Sequence, residues 1–380
     1  MEIAFISYFL NHHQIAVADE LWELSGHNFY FVETMPFPEN RIKQGFPVFD
    51  DRPYIIKSYV DSAAWSEAKK IVEEADVVIY GGIDMRLFAE RLKTNKLTFE
   101  FGERLLKKGI INIASPTNLK GLFYYHFKAN KDRLYYLCAS AYTANDLYLF
   151  NAYKDHCFKW GYFIQNSPSD IKLILNNKPN TNRIMWCARF IDWKHPELVI
   201  ALARELKKDG YDFHVDMFGT GPFHDKMKQM SVNLNVQDSV SFCGNVPNHQ
   251  LLEEMRAHDL ILFTSDRNEG WGVITNEAMA NGCPIVASNE IGSVPFLIKD
   301  GYNGLIFQSN DLDSLVSKVK QMINHPEKKQ EYAYNAYETI TKEWSAKNAA
   351  QRLYILFESL LNNNPIVYTT GPCSKAEPTK

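Results

Sequence analysis

Short apolar runs recur along the chain, each followed by a polar or glycine-bearing turn and then by a stretch whose apolar residues repeat at helical spacing. Runs bounded in this way read as strands buried on both faces, the habit of a parallel sheet covered by helices. In the first half the pattern predicts strands at 2–7, 27–33, 76–80, 134–139 and 157–164. Helices are expected at 15–25, ended by Gly26, and at 62–75, 98–108 and 142–154. Residues 34–60 hold prolines at 36, 38, 47 and 53 with little periodicity, and read as an extended excursion. In the second half strands are predicted at 183–188, 213–218, 240–244, 260–263 and 284–287. One helix starts after Asp192, with Pro196 in its first turn; others cover 250–257 and 273–281, the latter stopped by Gly282 and Pro284. Helical spacing returns at 311–324, 326–343 and 346–362.

Strand and helix alternating in this way give an α/β protein with two Rossmann-like halves. The stretch 166–182 is polar, holds Pro168 and Pro179 and several asparagines, and reads as a linker. It divides an N-terminal domain, 1–165, from a C-terminal domain, 183–345. Residues 363–380 have no apolar period and are expected to be a disordered tail.

Composition narrows the class. The 380 residues suffice for two cores, and 46% apolar with 23% charged residues is ordinary for a globular protein. A net charge of −4 argues against a dedicated nucleic-acid binder. The six cysteines form no C-x-x-C pair and mostly sit in apolar contexts, as free thiols of a reducing cytoplasm do. The N-terminus lacks a basic region before its apolar run and reads as a strand rather than a signal peptide. No apolar window approaches the length of a membrane span.

Residues 259–288 concentrate the candidate chemistry. A buried strand leads into a polar loop, 264–272, and then into the helix at 273–281, where α/β folds hold ligands. Gly270 and Gly272 leave backbone exposed near the helix start. The N–H groups of Val273, Ile274 and Thr275 suit an anion, most simply a phosphate. Glu269 and Glu277 flank the turn with seven residues between them; a carboxylate inside the helix cannot bind phosphate but can accept hydrogen bonds from sugar hydroxyls. A ligand with both phosphate and polyol is a nucleotide sugar. Arg189 and Lys194 follow the strand at 183–188 and converge where a diphosphate would need neutralising. The Gly219-Thr-Gly221 turn allows a close backbone approach, expected to be to the nucleotide, and Asn245 sits where a base would be contacted.

In the N-terminal half, His12 and His13 follow the first strand and Gly82 follows the strand at 76–80, so all three are candidates for the acceptor side. Residues 91–133 carry a local charge of +7 with interleaved aromatics, which suits an anionic membrane surface or a lipid-diphosphate acceptor. Glu103 and Arg104, in the helix expected at 98–108, are further acceptor candidates.

The run Glu269-Gly-Trp-Gly…Glu277-Ala-Met-Ala-Asn-Gly-Cys-Pro, continued by Ile291-Gly-Ser-Val-Pro…Gly-Leu-Ile-Phe307, resembles the E-x7-E signature of retaining glycosyltransferases of family four. The likeness covers roughly 184–345 and is looser before that. It implies a GT-B fold, with two Rossmann-like domains facing across a cleft and a last helix, 346–362, crossing back to the first domain. It implies transfer of a sugar from a nucleotide-diphosphate sugar to a hydroxyl of a glycan or lipid-linked acceptor in surface polysaccharide or glycolipid synthesis, without a bound metal. Arg189 and Lys194 match an R-x4-K pattern that binds the donor diphosphate. Glu277 would hold the ribose, and Glu269 the donor sugar. The expected location is cytoplasmic, at the inner face of the plasma membrane where the acceptor is lipid-linked. The scaffold leaves open a nucleotide-sugar epimerase, a phosphorylase or a non-catalytic nucleotide-sugar-binding subunit.

Overall fold

The computed structural model describes all residues except 44–45, 82–84, 166–169, 179, 365–367 and 380. The chain divides into two compact units, Met1–Gln165 with Glu343–Lys380, and Asn166–Lys342.

The first unit holds seven parallel strands, β1 (Ile3–Ser7), β2 (Phe29–Glu33), β3 (Ile55–Lys57), β4 (Val77–Tyr80), β5 (Leu97–Gly102), β6 (Leu134–Cys138) and β7 (Cys157–Lys159), in the order β3-β2-β1-β4-β5-β6-β7. The chain reverses its lateral direction between β1 and β4, the position at which open parallel sheets leave a crevice. Helix Ser62–Glu74 begins where Asp61 accepts the Ala64 N–H at 2.8 Å, a side-chain cap of the usual kind. Helix Ala346–Leu361 starts at a Ser345 cap and buries Ala349, Ala350, Leu353, Leu356 and Phe357; its neighbour is helix Ile15–Leu24.

The second unit holds six parallel strands, β8 (Arg183–Cys187), β9 (His214–Phe218), β10 (Val240–Gly244), β11 (Leu260–Phe263), β12 (Ile285–Ser288) and β13 (Leu305–Phe307), in the order β10-β9-β8-β11-β12-β13. Its reversal lies between β8 and β11. Both are central, so their side chains are buried on each face; Ile184, Met185, Trp186 and all four residues of β11 are covered.

The structure corrects the sequence reading at several places. Residues 98–102 are strand, not the start of a helix, because Thr98 to Phe101 are needed between β4 and β6. Glu103 and Arg104 therefore follow a strand. The excursion at 34–60 contains the helix Glu39–Lys43 and β3. The expected linker contains the helix Ile171–Asn176, whose Ile171 and Leu175 pack with Ala333 in the second unit. The tail expected to be disordered is instead fixed on β7. The Lys159 N–H donates to the Ser374 carbonyl at 2.8 Å, and the Cys373 and Ala376 N–H groups donate to Lys159 and Cys157 at 2.8 and 2.9 Å.

The basic stretch 91–133 is not one surface. Arg91 is 1% exposed and gives its guanidinium to the Val72, Ala75, Asp76 and Leu97 carbonyls and the Thr98 hydroxyl. Arg104 turns inward to Asp146, and Phe99 and Phe101 are core residues.

Candidate functional site

The chain leaves β8 at Cys187 and makes a 3-10 turn, Asp192–Lys194, before the helix Pro196–Lys208. Between them His195 adopts the left-handed backbone region, φ 48° and ψ 53°. A non-glycine residue stays there only when its surroundings hold it. Here two carboxylates do so: Nδ1 lies 2.8 Å from Glu197 Oε1 and Nε2 3.2 Å from Asp266 Oδ2. Burial favours the neutral ring, but the hydrogen bonds to Asp266 and Glu197 prevail and raise the imidazole to about 9. Two hydrogen bonds then join this turn to the loop after β11. The Asp266 N–H donates to the Trp193 carbonyl at 3.1 Å, and the Thr264 hydroxyl donates to the Lys194 carbonyl at 2.6 Å. Thr264 also accepts the Trp186 indole N–H at 2.9 Å.

This frame brings Lys194 and Glu269 together. Their side chains form an ion pair and are only 12% and 14% exposed. Lys194 Nζ also lies 4.3 Å from the centroid of the Trp193 ring, and the exposed Arg189 guanidinium lies 5.9 Å from the same ring. One indole thus carries both cations that the spacing had singled out. Cys187 stands nearby. Burial first, and then the charge of Glu277, push its thiol up to about 12, against the pull of Lys194.

Glu277 lies in the helix Ile274–Ala280 and is 7% exposed. Burial pushes its carboxyl up to about 7, and a hydrogen bond from Asn248 opposes this. The turn ahead of that helix is held from both sides. The Trp271 indole N–H donates to Asn276 Oδ1 at 2.8 Å, and the Ser293 N–H donates to the Trp271 carbonyl at 2.9 Å. Gly270 is buried, and Gly272 has φ +85°, where an added Cβ would lie 2.6 Å from the Phe263 ring. Val273 precedes the helix and Ile274 opens it. Thr275 departs from expectation: its N–H donates to the Gly272 carbonyl at 3.1 Å, and its hydroxyl accepts from Ser293 at 3.1 Å.

The other glycine turn packs more tightly on protein than foreseen. A Cβ at Gly219 would lie 2.0 Å from the Ala188 carbonyl oxygen, and one at Gly221 would lie 2.5 Å from that of Phe190. The close approach is therefore to the chain after β8. Asn245 donates its amide to the Thr220 hydroxyl at 3.1 Å, and the Gly219 N–H donates to the Gly244 carbonyl at 2.7 Å.

His12 and His13 belong to the first unit. Their rings lie 3.6 Å apart, with His12 against Phe46 and His13 against Tyr162. Burial, aided by nearby Arg41, lowers them to about 4 and about 3, so both are neutral. Gly82 lies outside the described residues. Among the described residues no three His, Cys, Asp or Glu side chains gather as a metal site requires.

Sequence reasoning passed over His195, Asp266 and Ser293, which hold the loops in place. The His195-Pro196 step at a helix start, with acids at 192 and 197, was the available signal. All the second-unit residues above lie inside 169–339, and this span matches the family described as glycosyl transferases group 1. Residues 169–339 are a group 1 glycosyl transferase domain. An uncharacterized glycosyltransferase of Methanocaldococcus jannaschii is 24% identical over 244 residues, 64% of this chain and 64% of that protein. The poly(ribitol-phosphate) alpha-N-acetylglucosaminyltransferase of Staphylococcus aureus is 27% identical over 175 residues, 45% of this chain and 34% of that one. The chain thus spans less than two thirds of each of these relatives. HepE of Anabaena, solved in complex with UDP, shares the fold with a TM-score of 0.68 at 16% identity, over 94% of this chain and 100% of that one. The likeness to HepE extends beyond the group 1 domain and includes the parallel sheet of the first unit.

Proposed function

We propose that the chain is a retaining glycosyltransferase that moves a sugar from a nucleotide-diphosphate sugar to a hydroxyl of a glycan or lipid-linked acceptor. The observation that carries this is the Lys194–Glu269 pair in the group 1 domain, with Arg189 on the same indole. A cation and a carboxylate in contact are suited to two ligand groups that are also adjacent. The phosphate and the sugar hydroxyls on either side of a glycosyl–phosphate bond are such groups.

In this reading Lys194 and Arg189 take the diphosphate, and the N–H groups of Val273 and Ile274 add to them. Glu269 takes donor-sugar hydroxyls and fixes their orientation. Glu277 takes the ribose hydroxyls. Gly219, Gly221 and Asn245 shape the turns around the nucleotide. The bond from the anomeric carbon to the leaving phosphate oxygen breaks, and a bond from the acceptor oxygen forms on the same face. The acceptor proton passes to the departing phosphate. Negative charge develops on the leaving diphosphate, where Lys194 and Arg189 stabilise it; each such contact contributes about 3 kcal/mol to lowering the barrier. UDP is the first nucleotide to try, because HepE was solved with UDP. GDP comes second, because a similar Mycolicibacterium smegmatis protein is named a GDP-mannose-dependent mannosyltransferase. His12 and His13 serve the acceptor side as neutral hydrogen-bonding groups, and the enzyme works in the cytoplasm, at the membrane when its acceptor is a lipid.

The test is a thermal-shift panel of nucleoside diphosphates and their sugars, followed by turnover with lipid-linked and glycan acceptors. One nucleotide at about 100 times its Kd should stabilise the intact protein by about 2.7 kcal/mol. Lys194→Ala should then lower kcat about 100-fold. A folded protein that shifts with no nucleotide would sink the proposal. Free nucleotide released without any acceptor would point to an epimerase instead.

A further inference from the structure

Neither the helix Pro116–Phe127 nor the 3-10 turn Ile110–Ala114 before it contains a buried residue. The helix is nevertheless anchored. Leu122, Tyr124 and Tyr125 pack against the core, and the Tyr125 hydroxyl accepts the Tyr153 N–H at 2.8 Å. Its other stripe, Leu119, Phe123 and Phe127 at four-residue spacing, faces outward and is 50%, 49% and 75% exposed. The turn adds Ile110 and Ile111 at 69% and 82%. The rings of Phe123 and Phe127 lie 5.4 Å apart, so the stripe is continuous on the helix. A surface helix normally turns its apolar stripe to the core. Large residues gathered on the outside mark a contact with something else.

Charge identifies the occupant. Residues 104–131 hold six Lys or Arg and no Asp or Glu. Lys108, Lys120, Lys128 and Lys131 are exposed, and Lys128 Nζ lies 5.8 Å from the Phe123 ring centroid. Lysines beside exposed apolar side chains can reach past them to phosphate headgroups. At about 1.5 Å per residue the helix is roughly 18 Å long, too short to span a bilayer, and so it would lie in the interfacial plane.

We infer that residues 108–131 dock on an anionic lipid bilayer, with Ile110, Ile111, Leu119, Phe123 and Phe127 entering the headgroup boundary and the lysines pairing with lipid phosphates. This narrows the membrane-facing part of 91–133 to one turn and one helix. It rests on the glycosyltransferase reading only for its use, which is to bring the enzyme to a lipid-linked acceptor. Binding is measured without donor or acceptor, so the two readings fail separately.

The experiment is sedimentation of the intact protein with vesicles of phosphatidylcholine alone or mixed with phosphatidylglycerol. The protein should pellet with the anionic vesicles and not with the zwitterionic ones. The double variants Phe123→Ser/Phe127→Ser and Lys120→Glu/Lys128→Glu should each reduce pelleting about tenfold or more. Because these side chains are exposed, both variants should keep their melting temperature and any nucleotide-induced shift. No pelleting of the wild type, or equal pelleting of the variants, overturns the inference. So does a wild-type dimer that Phe123→Ser/Phe127→Ser dissociates without any lipid effect, since the face would then belong to a second copy.

Discussion

Glu277 is buried and Lys194 half-buried, and both lie near Cys187. Lys194 has Glu269 as a partner, whereas Glu277 is met by a neutral amide, and its carboxyl rises to about 7. A raised carboxyl stabilises the folded state fully below its unfolded value, and that contribution is lost as pH rises through the folded value. Unliganded protein should therefore lose stability between about pH 4.5 and 7.5 through this group, on the order of 3 kcal/mol. Ribose hydroxyls donating to Glu277 favour its ionised form, so nucleotide affinity should run the other way, falling as pH drops below about 7. Glu277→Gln should flatten both profiles and raise the melting temperature at pH 8. Calorimetric titration at pH 6 and pH 8 decides this: affinity that is equal at the two pH values in the wild type removes Glu277 from the ribose. Glu269, Glu277, Arg189 and Lys194 could be singled out as candidates because their spacing places them around two strand ends. His195 could not, because its place depends on Asp266, distant in sequence, and on a strained backbone that no local pattern announces.

Strands and helices with strong periodicity were legible within a residue or two, as in Ser62–Glu74 and Leu260–Phe263. β5 was not. Leu97 to Phe101 do alternate apolar and polar residues, but the residues that follow, Glu103 to Lys108, are good helix formers, and their pull outweighed that short alternation. The same element explains Arg91. Its guanidinium gathers carbonyls from the end of helix Ser62–Glu74 and from the strand start at Leu97, so a charge read as surface is a structural tie. Burial lowers it to about 10, which still leaves it charged at neutral pH. Arg91→Met would leave those oxygens buried without donors, and should lower unfolding free energy by about 3–5 kcal/mol in a denaturant titration. A loss below 1 kcal/mol would show that the carbonyls find other partners. The nucleotide-induced shift should survive the substitution, because Arg91 lies in the first unit.

At the scale of the whole molecule the chain end belongs with the beginning. Residues 373–376 pair with β7, and Arg352 holds the stretch before them by donating to the Thr370 carbonyl at 2.5 Å while stacking over Tyr368 at 4.7 Å. Their order was invisible in the sequence because strand addition uses backbone groups, and small residues such as Cys373, Ser374 and Ala376 can be buried without any apolar period. Deleting 368–380 should uncover the β7 edge, lower the melting temperature and promote self-association, all visible by light scattering during a thermal ramp. A truncated protein that melts and scatters like the full chain would make the strand pairing dispensable.

The return of the chain also bears on the order of events during synthesis. The first unit combines Met1–Gln165 with Glu343–Lys380, and the second unit is made in between. At roughly 5–20 residues per second, ribosomal elongation from Gln165 to Lys380 takes about 10–40 s. For that interval the nascent first half lacks its closing helix and the stretch that pairs with β7, while the second half can fold as soon as it emerges. The part translated first is thus finished last, and its waiting state is the one most in need of a chaperone.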